Sequence, residues 1–209
     1  MPRRTKEEAE QTRLALIKSA LQLFSEKGVA HTTLMDISKA AGVTKGAFYW
    51  HFKNKLEVLE AITQEYALPL DEAAQHKLET MVPSSANLIE AIAFYFETLE
   101  QSEALIAFQE VILFKCEYTD EFSALLKRDK DDLEKARDIF TAFITEMDES
   151  QWQGPRPDTA HIEVVSQTLL NALVGALFQW LTTREGILSQ TVIQTVRMIL
   201  RGGGLKVDG

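Results

Sequence analysis

The clearest local signals in the sequence predict two short helices joined by a glycine turn over residues 33–52. Thr33 can cap the first helix, with Asp36 as its capping-box partner three positions later. This helix ends before Gly42, a residue suited to the left-handed conformation at a helix terminus. Thr44 can then cap the second helix, which runs for about two turns. Two such helices, with a longer helix in front of them, predict a helix-turn-helix unit.

The rest of the chain also carries helical patterns. Only five prolines and ten glycines occur among 209 residues, so long segments run without a turn signal. The predicted helices are Glu7–Lys27 and Lys55–Lys77, then about Ser85–Glu100, Glu103–Phe114, Asp120–Met147, Thr159–Thr183 and Ser189–Arg201. No strand pattern or internal repeat accompanies them. The predicted fold is all-α with about nine helices: an N-terminal three-helix head over residues 1–54 and a larger helical bundle over residues 55–209.

Three residues give further local detail in the bundle. Asn54 and Asp158 are predicted to cap the helices that follow them. Pro69 has no backbone N–H and lies inside the long helix that starts at residue 55. We therefore expect a kink or break of that helix near residues 67–70.

The formal charge is divided unevenly along the chain. Residues 1–55 carry ten Lys or Arg and five Asp or Glu, whereas residues 56–209 carry twelve and twenty-six. The net charge of −9 thus combines +5 in the head with −14 in the body. This asymmetry predicts that only the head meets a polyanion, because the body would be repelled by one.

The second short helix has two chemically different sides. Phe48 and Phe52 lie four positions apart and share a face suited to the core. Another side carries a cation, a position without a side chain and two large rings, namely Lys45, Gly46, Tyr49 and Trp50. Gly46 would let the backbone approach a base edge, and Lys45 would reach guanine or phosphate. Each residue also has a plainer interpretation, since Lys45 can be a solvated lysine and Trp50 a core ring.

The run TTLMDISKAAGVTKGAFYWHFKNKLEVL, Thr32 to Leu59, closely resembles the DNA-binding signature of TetR-type bacterial repressors. The opening RRTKEEAEQTR and the segment KCEYTDEF, Lys115 to Phe122, are similar to the AcrR/TtgR-like subgroup that controls multidrug efflux pumps. This resemblance implies a ligand-responsive repressor that binds a near-palindromic operator as a dimer. A small hydrophobic or aromatic compound would release it from DNA, and no cofactor is implied.

The resemblance also implies which residues contact DNA. The head, residues 1–54, would bind the operator, and residues 55–209 would bind the ligand and form the dimer. Lys55 and Thr33 are expected on phosphates, and two N-terminal arginines on the DNA backbone or minor groove. The full set of predicted DNA-binding residues is Arg3, Arg4, Thr33, Thr44, Lys45, Gly46, Tyr49, Trp50, His51 and Lys55.

The body is rich in aromatic and aliphatic residues on the inner faces of its helices. Most of these residues are expected to form the core, although apolar pockets between bundle helices are usual sites for small molecules. By resemblance to drug-responsive regulators, the predicted pocket consists of Ile92, Phe96, Gln109, Leu113, Leu133, Phe140, Leu173 and Leu177. Glu110 or Asp138 can pair with a cationic ligand, or remain solvated surface charges.

Two C-terminal helices are predicted to form the dimer interface. The first carries small residues that permit close helix approach, and the second an apolar row at spacings of three and four. These residues are Ala172, Gly175, Ala176, Val192, Ile193, Val196 and Leu200. Two helices from each subunit would make a four-helix interface. The DNA half-sites would then lie about 34–36 Å apart, or a multiple of that distance.

Other classes of function have weaker support in the sequence. The four histidines are scattered and Cys116 is the single cysteine, so we predict no metal site, no catalytic site and no enzyme activity. No apolar run follows the N-terminal charges, which predicts a cytoplasmic protein. The uncharged segment over residues 164–183 is polar enough to predict a helix covered by protein and no membrane partner. A TetR-type repressor of metabolic genes, sensing an acyl or aromatic metabolite, is the alternative that the sequence leaves open.

Overall fold

A computed structural model describes residues 6–116 and 123–207, and the chain within these ranges is helical. The α-helices are α1 Lys6–Lys27, α2 Leu34–Ala40, α3 Lys45–His51, α4 Lys55–Ile62, α5 Leu68–Thr80, α6 Ser85–Gln101, α7 Glu103–Glu110, α8 Ser123–Thr145, α9 Thr159–Thr183 and α10 Leu188–Gly202. A π-helical segment, Thr63–Ala67, joins α4 to α5, so these elements make nine continuous helices in the described part of the chain. The predicted all-α fold is confirmed.

Side-chain caps begin the helices where the sequence predicts them. At α2, the Asp36 N–H donates to the Thr33 hydroxyl at 3.1 Å, and the Thr33 N–H donates to the Asp36 carboxylate at 3.0 Å. Asn54 caps α4 by accepting from the Glu57 N–H at 2.9 Å. Asp158 caps α9 by accepting from a backbone N–H three residues later. These bonds satisfy amides that have no partner inside their helices.

The long helix over residues 55–80 does not break at Pro69. Its turns widen just before the proline, where the Leu68 N–H donates to the Thr63 carbonyl five residues back. Pro69 lacks the N–H that a regular α-helix would direct to residue 65, and a wider turn accommodates both its ring and that carbonyl. A break is therefore excluded, because the helix continues through a π-helical segment that ends at Ala67, and the kink stays a prediction.

Packing divides the described residues into two compact units. The first unit runs to Pro69 and also takes residues between Glu103 and Ala124. In this unit α1 packs against α2, α4 and α7, and α2 packs against α3. Its core includes the fully buried side chains of Leu16, Ile17, Phe24, Ile37, Phe48 and Leu59.

The second unit consists of Leu70–Ser102 and the residues from Leu125 onward. In it α10 packs against α6 and α9. Glu100, near the end of α6, accepts from the backbone N–H groups of Leu188 and Ser189, so it caps the start of α10. The predicted functional boundary at residue 54 does not coincide with the division of packing and stays a prediction.

Candidate nucleic-acid interface

The turn between α2 and α3 is closed by backbone hydrogen bonds. Gly42 has a φ of +68°, a left-handed conformation that favours glycine. The Val43 N–H donates to the Ser38 carbonyl at 2.9 Å, and the Thr44 hydroxyl accepts from the Ala47 N–H at 3.2 Å. The direction of α3 relative to α2 is therefore fixed by the backbone and one cap.

The inner face of α3 is part of the core of the first unit. Phe48 is fully buried and Phe52 almost so, and their ring centroids lie 5.8 Å apart. The guanidinium carbon of Arg13, on α1, lies 5.7 Å from the centre of the Phe52 ring. Both phenylalanines thus have the core position that the sequence predicts.

The outer face of α3 presents rings and a cation to solvent. Trp50 is 73% exposed and Tyr49 is 49% exposed, so neither ring is a core residue. The Lys45 ammonium lies 5.7 Å from the centre of the Tyr49 ring. The Trp50 ring stands nearly perpendicular to the His51 ring, with centroids 4.5 Å apart. Two large exposed rings on one short helix are costly in water, and surfaces of this kind mark interaction sites.

Gly46 lies on the same outer face and is not required by the fold. A methyl group added there would meet only the Thr44 hydroxyl oxygen, at an ordinary contact distance of 3.9 Å. Glycine in a helix costs about 0.5–1 kcal/mol of stability relative to alanine. Gly46 thus makes α3 less stable and leaves its surface without a side chain at this position. The missing side chain favours a close approach of a partner to the α3 backbone.

Two predicted phosphate contacts have partners within the chain. The Thr33 hydroxyl donates to the Asp36 carboxylate at 2.6 Å, so its proton is already used. The Lys55 ammonium donates to the carbonyls of Val29 at 2.7 Å and Ala30 at 3.2 Å. Thr33 is exposed and Lys55 is half-buried, and both phosphate contacts stay predictions. Arg3 and Arg4 lie outside the described residues.

The acidic groups near α3 are bound to helix N-termini. A hydrogen bond from the Thr33 side chain is the main cause that lowers the pKa of Asp36. The backbone N–H of Lys53 donates to Glu57 and lowers the pKa of that carboxyl in the same way. Both carboxylates therefore stay ionised at neutral pH and belong to the caps of α2 and α4.

The structure also exposes residues near α3 that the sequence analysis did not select. Met35 and Lys39 are exposed on α2, and Lys53 is exposed between α3 and α4, at 3.3 Å from the Glu57 carboxylate. The helical spacing in the sequence could have predicted the exposure of Met35 and Lys39, because both lie off the face of α2 that carries the buried Ile37. These residues add exposed basic and apolar side chains to the helix-turn-helix and its exit.

Comparison with known proteins identifies the family of the chain. The model of "Bacterial regulatory proteins, tetR family" matches residues 16–62. The HTH-type transcriptional repressor BepR of Brucella suis biovar 1 is 32% identical over 207 residues, which cover 95% of this chain and 96% of BepR. The chain belongs to the TetR family. Its matched residues include the whole helix-turn-helix, from the core of α1 to the end of α4.

Two solved structures of TetR-type repressors extend the similarity over the full length. NalD, the secondary repressor of the MexAB-OprM multidrug efflux pump in Pseudomonas aeruginosa, superposes with a TM-score of 0.79 at 27% identity, covering 96% of this chain and 99% of NalD. SmeT in complex with triclosan gives a TM-score of 0.79 at 26% identity, covering 93% and 92%. SmeT is the repressor of the Stenotrophomonas maltophilia multidrug efflux pump SmeDEF.

The predicted ligand residues of this TetR-family chain are divided between the two units. Gln109, half-buried, and Leu113, exposed, belong to the first unit. In the second unit, the buried predicted residues are Ile92, Phe96 and Leu173. Phe140 and Leu177 are half-buried there, and Leu133 is exposed. A groove of about 350 Å³ lies between α8 and α9, and Leu133 is the one predicted residue that lines it. The eight-residue pocket stays a prediction.

Asp71 is an acidic group of the bundle that the sequence analysis missed. It lies on α5 and accepts a hydrogen bond from the Tyr95 hydroxyl of α6. Desolvation raises the pKa of Asp71 to about 6, although the residue as a whole is exposed. The carboxyl group itself lies against protein atoms, and this loss of solvent disfavours its charged form. Glu110 and Asp138 instead pair with Ser25 and Arg137.

The predicted dimer residues separate into two groups. Val192, Val196 and Leu200 are fully buried inside the chain itself, on the face of α10 that packs against α6 and α9. They cannot form a surface between subunits, so this part of the prediction is wrong. Ile193, Ala172 and Ala176 are half-buried and Gly175 is exposed, so these four remain available to a partner.

The helix α9 is apolar yet largely uncovered. It is the one described helix long and apolar enough to cross a membrane, which is weak evidence for a membrane span, and a third of its most apolar stretch is buried. Val164 is 64% exposed and Phe178 51% exposed on α9, and Met198 is 73% exposed on α10.

Within the described residues, no group of three or more acidic, histidine or cysteine side chains could hold a metal ion.

Proposed function

We propose that this protein is a ligand-responsive transcriptional repressor of a multidrug efflux pump, acting in the cytoplasm as a dimer on a near-palindromic operator. The outer face of α3 is the observation that carries the proposal. It combines an exposed cation, a surface gap at Gly46 and two exposed rings on a helix held firmly by its inner face.

The outer face of α3 suits the major groove of DNA. An α-helix fits into that groove, where base edges distinguish all four base pairs. Lys45 can donate to guanine or phosphate, and the Tyr49 hydroxyl and the His51 ring can donate to phosphate oxygens. Gly46 lets the helix backbone come close to a base edge. In this proposal Trp50 contacts DNA, because its exposure is incompatible with a packing role.

A second copy of the chain is the partner that we propose for the exposed face of α9. The exposed Val164 and Phe178 leave an apolar surface on one helix, and Gly175 permits close approach. A symmetric dimer would bury the same surface of both subunits. It would also present two α3 helices to two half-sites, which is the reason for expecting a near-palindromic operator.

Release by a small hydrophobic or aromatic compound follows from reciprocal coupling. A ligand that favours a dimer whose spacing does not match the operator must lower the affinity for DNA. The efflux pump is proposed as the target because NalD and SmeT, which match nearly the whole chain, are described as repressors of such pumps. The predicted residues 92, 96, 109, 113, 133, 140, 173 and 177 are the proposed ligand contacts in residues 55–209.

One experiment tests the proposal in two steps. The protein first selects its preferred duplexes from a random-sequence library, and fluorescence anisotropy then measures its affinity for the selected and for a scrambled duplex. We expect tight binding to the selected duplex alone, loss of that binding in Lys45→Ala and Tyr49→Ala, and release by triclosan or another hydrophobic compound. Equal affinity for both duplexes would refute the repressor. Release by an acyl or aromatic metabolite, and by no drug, would favour the repressor of metabolic genes.

A further inference from the structure

The segment that follows α10, over residues 203–207, turns back and pairs with the loop between α8 and α9. Gly204 makes the turn in a left-handed conformation, with a φ of +93°. The Leu205 N–H then donates to the Leu200 carbonyl at 2.9 Å, which is a common way for a glycine to end a helix. We call residues 203–207 the strap.

The strap is attached to the loop by backbone hydrogen bonds and by burial. The Gln153 N–H donates to a strap carbonyl at 2.8 Å, and the Lys206 N–H donates to the Gln151 carbonyl at 2.7 Å. Trp152 and Leu205 pair as an antiparallel bridge beside these bonds, and both side chains are buried. The strap is therefore a firmly packed part of the second unit.

The first residue of the strap, Gly203, contacts the start of α9 in two ways. Its carbonyl oxygen lies 3.0 Å from Nε2 of His161, and the ring nitrogen is the donor because a carbonyl can only accept. A methyl group added to Gly203 would lie 2.7 Å from Cγ2 of Val165. His161 and Val165 are four residues apart, so both contacts lie on one face of α9.

Close packing explains why residue 203 is a glycine. Its φ is −74°, which any residue adopts, so the backbone does not require glycine there. A methyl group at 2.7 Å from a carbon atom lies well inside the distance of about 3.5–4.0 Å at which carbon atoms attract each other. Gly203 thus lets the end of α10 pack directly against the start of α9.

The contact between Gly203 and Val165 adjoins the proposed dimer face. Val165 is buried, whereas Val164, the residue before it, is exposed on that face. Successive residues of a helix are joined rigidly, so a displacement of Val165 away from the strap also displaces Val164. The strap therefore sets where this end of the exposed face of α9 lies.

We infer that the strap positions the first two turns of α9, and thereby the exposed apolar face that meets a second copy of the chain. The inference rests on the proposed dimer. It makes Gly203 a positioning residue, which acts on the dimer through Val165 and does more than stabilise the fold.

The test adds a methyl group to the strap and measures the dimer. Gly203→Ala places the group against Val165, whereas Gly202→Ala adds it where no atom lies within 4 Å. A double variant, Gly203→Ala with Val165→Ala, removes the two valine methyl groups that the added group would meet. Sedimentation well below the melting temperature gives the dissociation constant of the dimer among folded molecules, and thermal melting gives the stability.

We expect Gly203→Ala to lower the melting temperature by about 2–12 °C, the usual effect of an overpacked methyl group in a chain of this size. It should also weaken the dimer about tenfold, a loss within the range that overpacking causes. Gly202→Ala should keep the wild-type dissociation constant. The double variant should regain most of the lost dimer affinity, because two residues in contact compensate each other.

Val196→Ala separates positioning from a general loss of stability. Val196 is fully buried on α10, and its truncation destabilises the fold without adding an atom to the strap. A Gly203→Ala protein that melts early, as Val196→Ala does, but keeps the wild-type dissociation constant would overturn the inference while the proposed function stands. An unrecovered dimer in the double variant would do the same. A wild-type protein that stays monomeric would overturn the proposed dimer as well.

Should Gly203→Ala not fold, His161→Ala gives an independent test of the same contact. It removes the ring donor to the Gly203 carbonyl and adds no atom to the strap. We expect a dimer about two- to tenfold weaker, the scale of one lost hydrogen bond. An unchanged dissociation constant in a folded His161→Ala protein would show that the strap does not position α9.

Discussion

Replacing Gly46 with alanine separates the stability of α3 from its proposed contact with DNA. The added methyl group meets only the Thr44 hydroxyl oxygen at 3.9 Å, so the chain itself accommodates it without strain. Alanine is favoured over glycine in a helix by about 0.5–1 kcal/mol. For a chain of this length, that gain corresponds to a rise in melting temperature of about 1–4 °C.

The same methyl group should weaken operator binding. It occupies the gap through which the α3 backbone would approach a base edge, and the loss of one base-pair contact costs about 1–3 kcal/mol. We therefore expect Gly46→Ala to bind the selected duplex at least fivefold more weakly per half-site. Thermal melting and fluorescence anisotropy on the same preparation measure the two effects.

Gly202→Ala is the matched control, because a methyl group there meets no atom within 4 Å and the residue lies at the end of α10, in the second unit. It should keep full operator affinity. Unchanged operator affinity in Gly46→Ala would refute the close approach of DNA. A lower melting temperature of that variant would refute our account of why glycine is present.

Four further variants test the dimer, the desolvated carboxyl group of Asp71 and the π-helical segment. Phe178→Lys should dissociate the dimer in sedimentation experiments while the monomer stays folded. Val196→Ala should lower the free energy of unfolding by about 1–3 kcal/mol and leave the dimer intact. The reverse pattern would contradict our assignment of Phe178 to the dimer interface and of Val196 to the core. Because the folded pKa of Asp71 is about 6, above the ordinary value of 3.8, the folded state binds the extra proton between these pH values and stability falls as the pH rises through that window. Asp71→Asn should flatten this dependence in pH-resolved melting curves, with a gain of no more than about 1 kcal/mol at pH 7 after solvent screening, and an unchanged curve would count against the shift. Pro69→Ala restores a backbone donor, so it should stabilise the protein by about 1–3 kcal/mol and slow amide exchange over residues 63–68. Faster exchange there would contradict our account that Pro69 causes the π-helical segment.

Local signals in the sequence predicted the helix-turn-helix well. The Thr33 and Asp36 capping box, the left-handed Gly42 and the inward position of Phe48 depend on residues only a few positions apart. Such features follow from the geometry of one or two turns of helix, which a sequence pattern reports directly. The sequence did not decide whether Trp50 is a core ring or a DNA contact, because helical spacing alone does not show whether a neighbour covers the ring.

The errors arose where a distant partner decides the role of a residue. Val196 belongs to an apolar row that packs on α6 and α9 of its own chain, and the row alone does not tell an internal helix from a partner subunit. The acceptors of Lys55 lie 25 and 26 residues earlier, so local spacing could not predict its hydrogen bonds to them. Asp71 was missed because its hydrogen-bond partner, Tyr95, lies on another helix.

The most direct test of the account is a hydroxyl-radical footprint of the wild-type protein on its selected duplex. We predict two protected regions on one face of the DNA, about 34–36 Å apart or a multiple of that distance, and their loss with Lys45→Ala. A single protected region, or uniform protection that is the same on a scrambled duplex, would contradict a dimer that reads DNA through the outer face of α3.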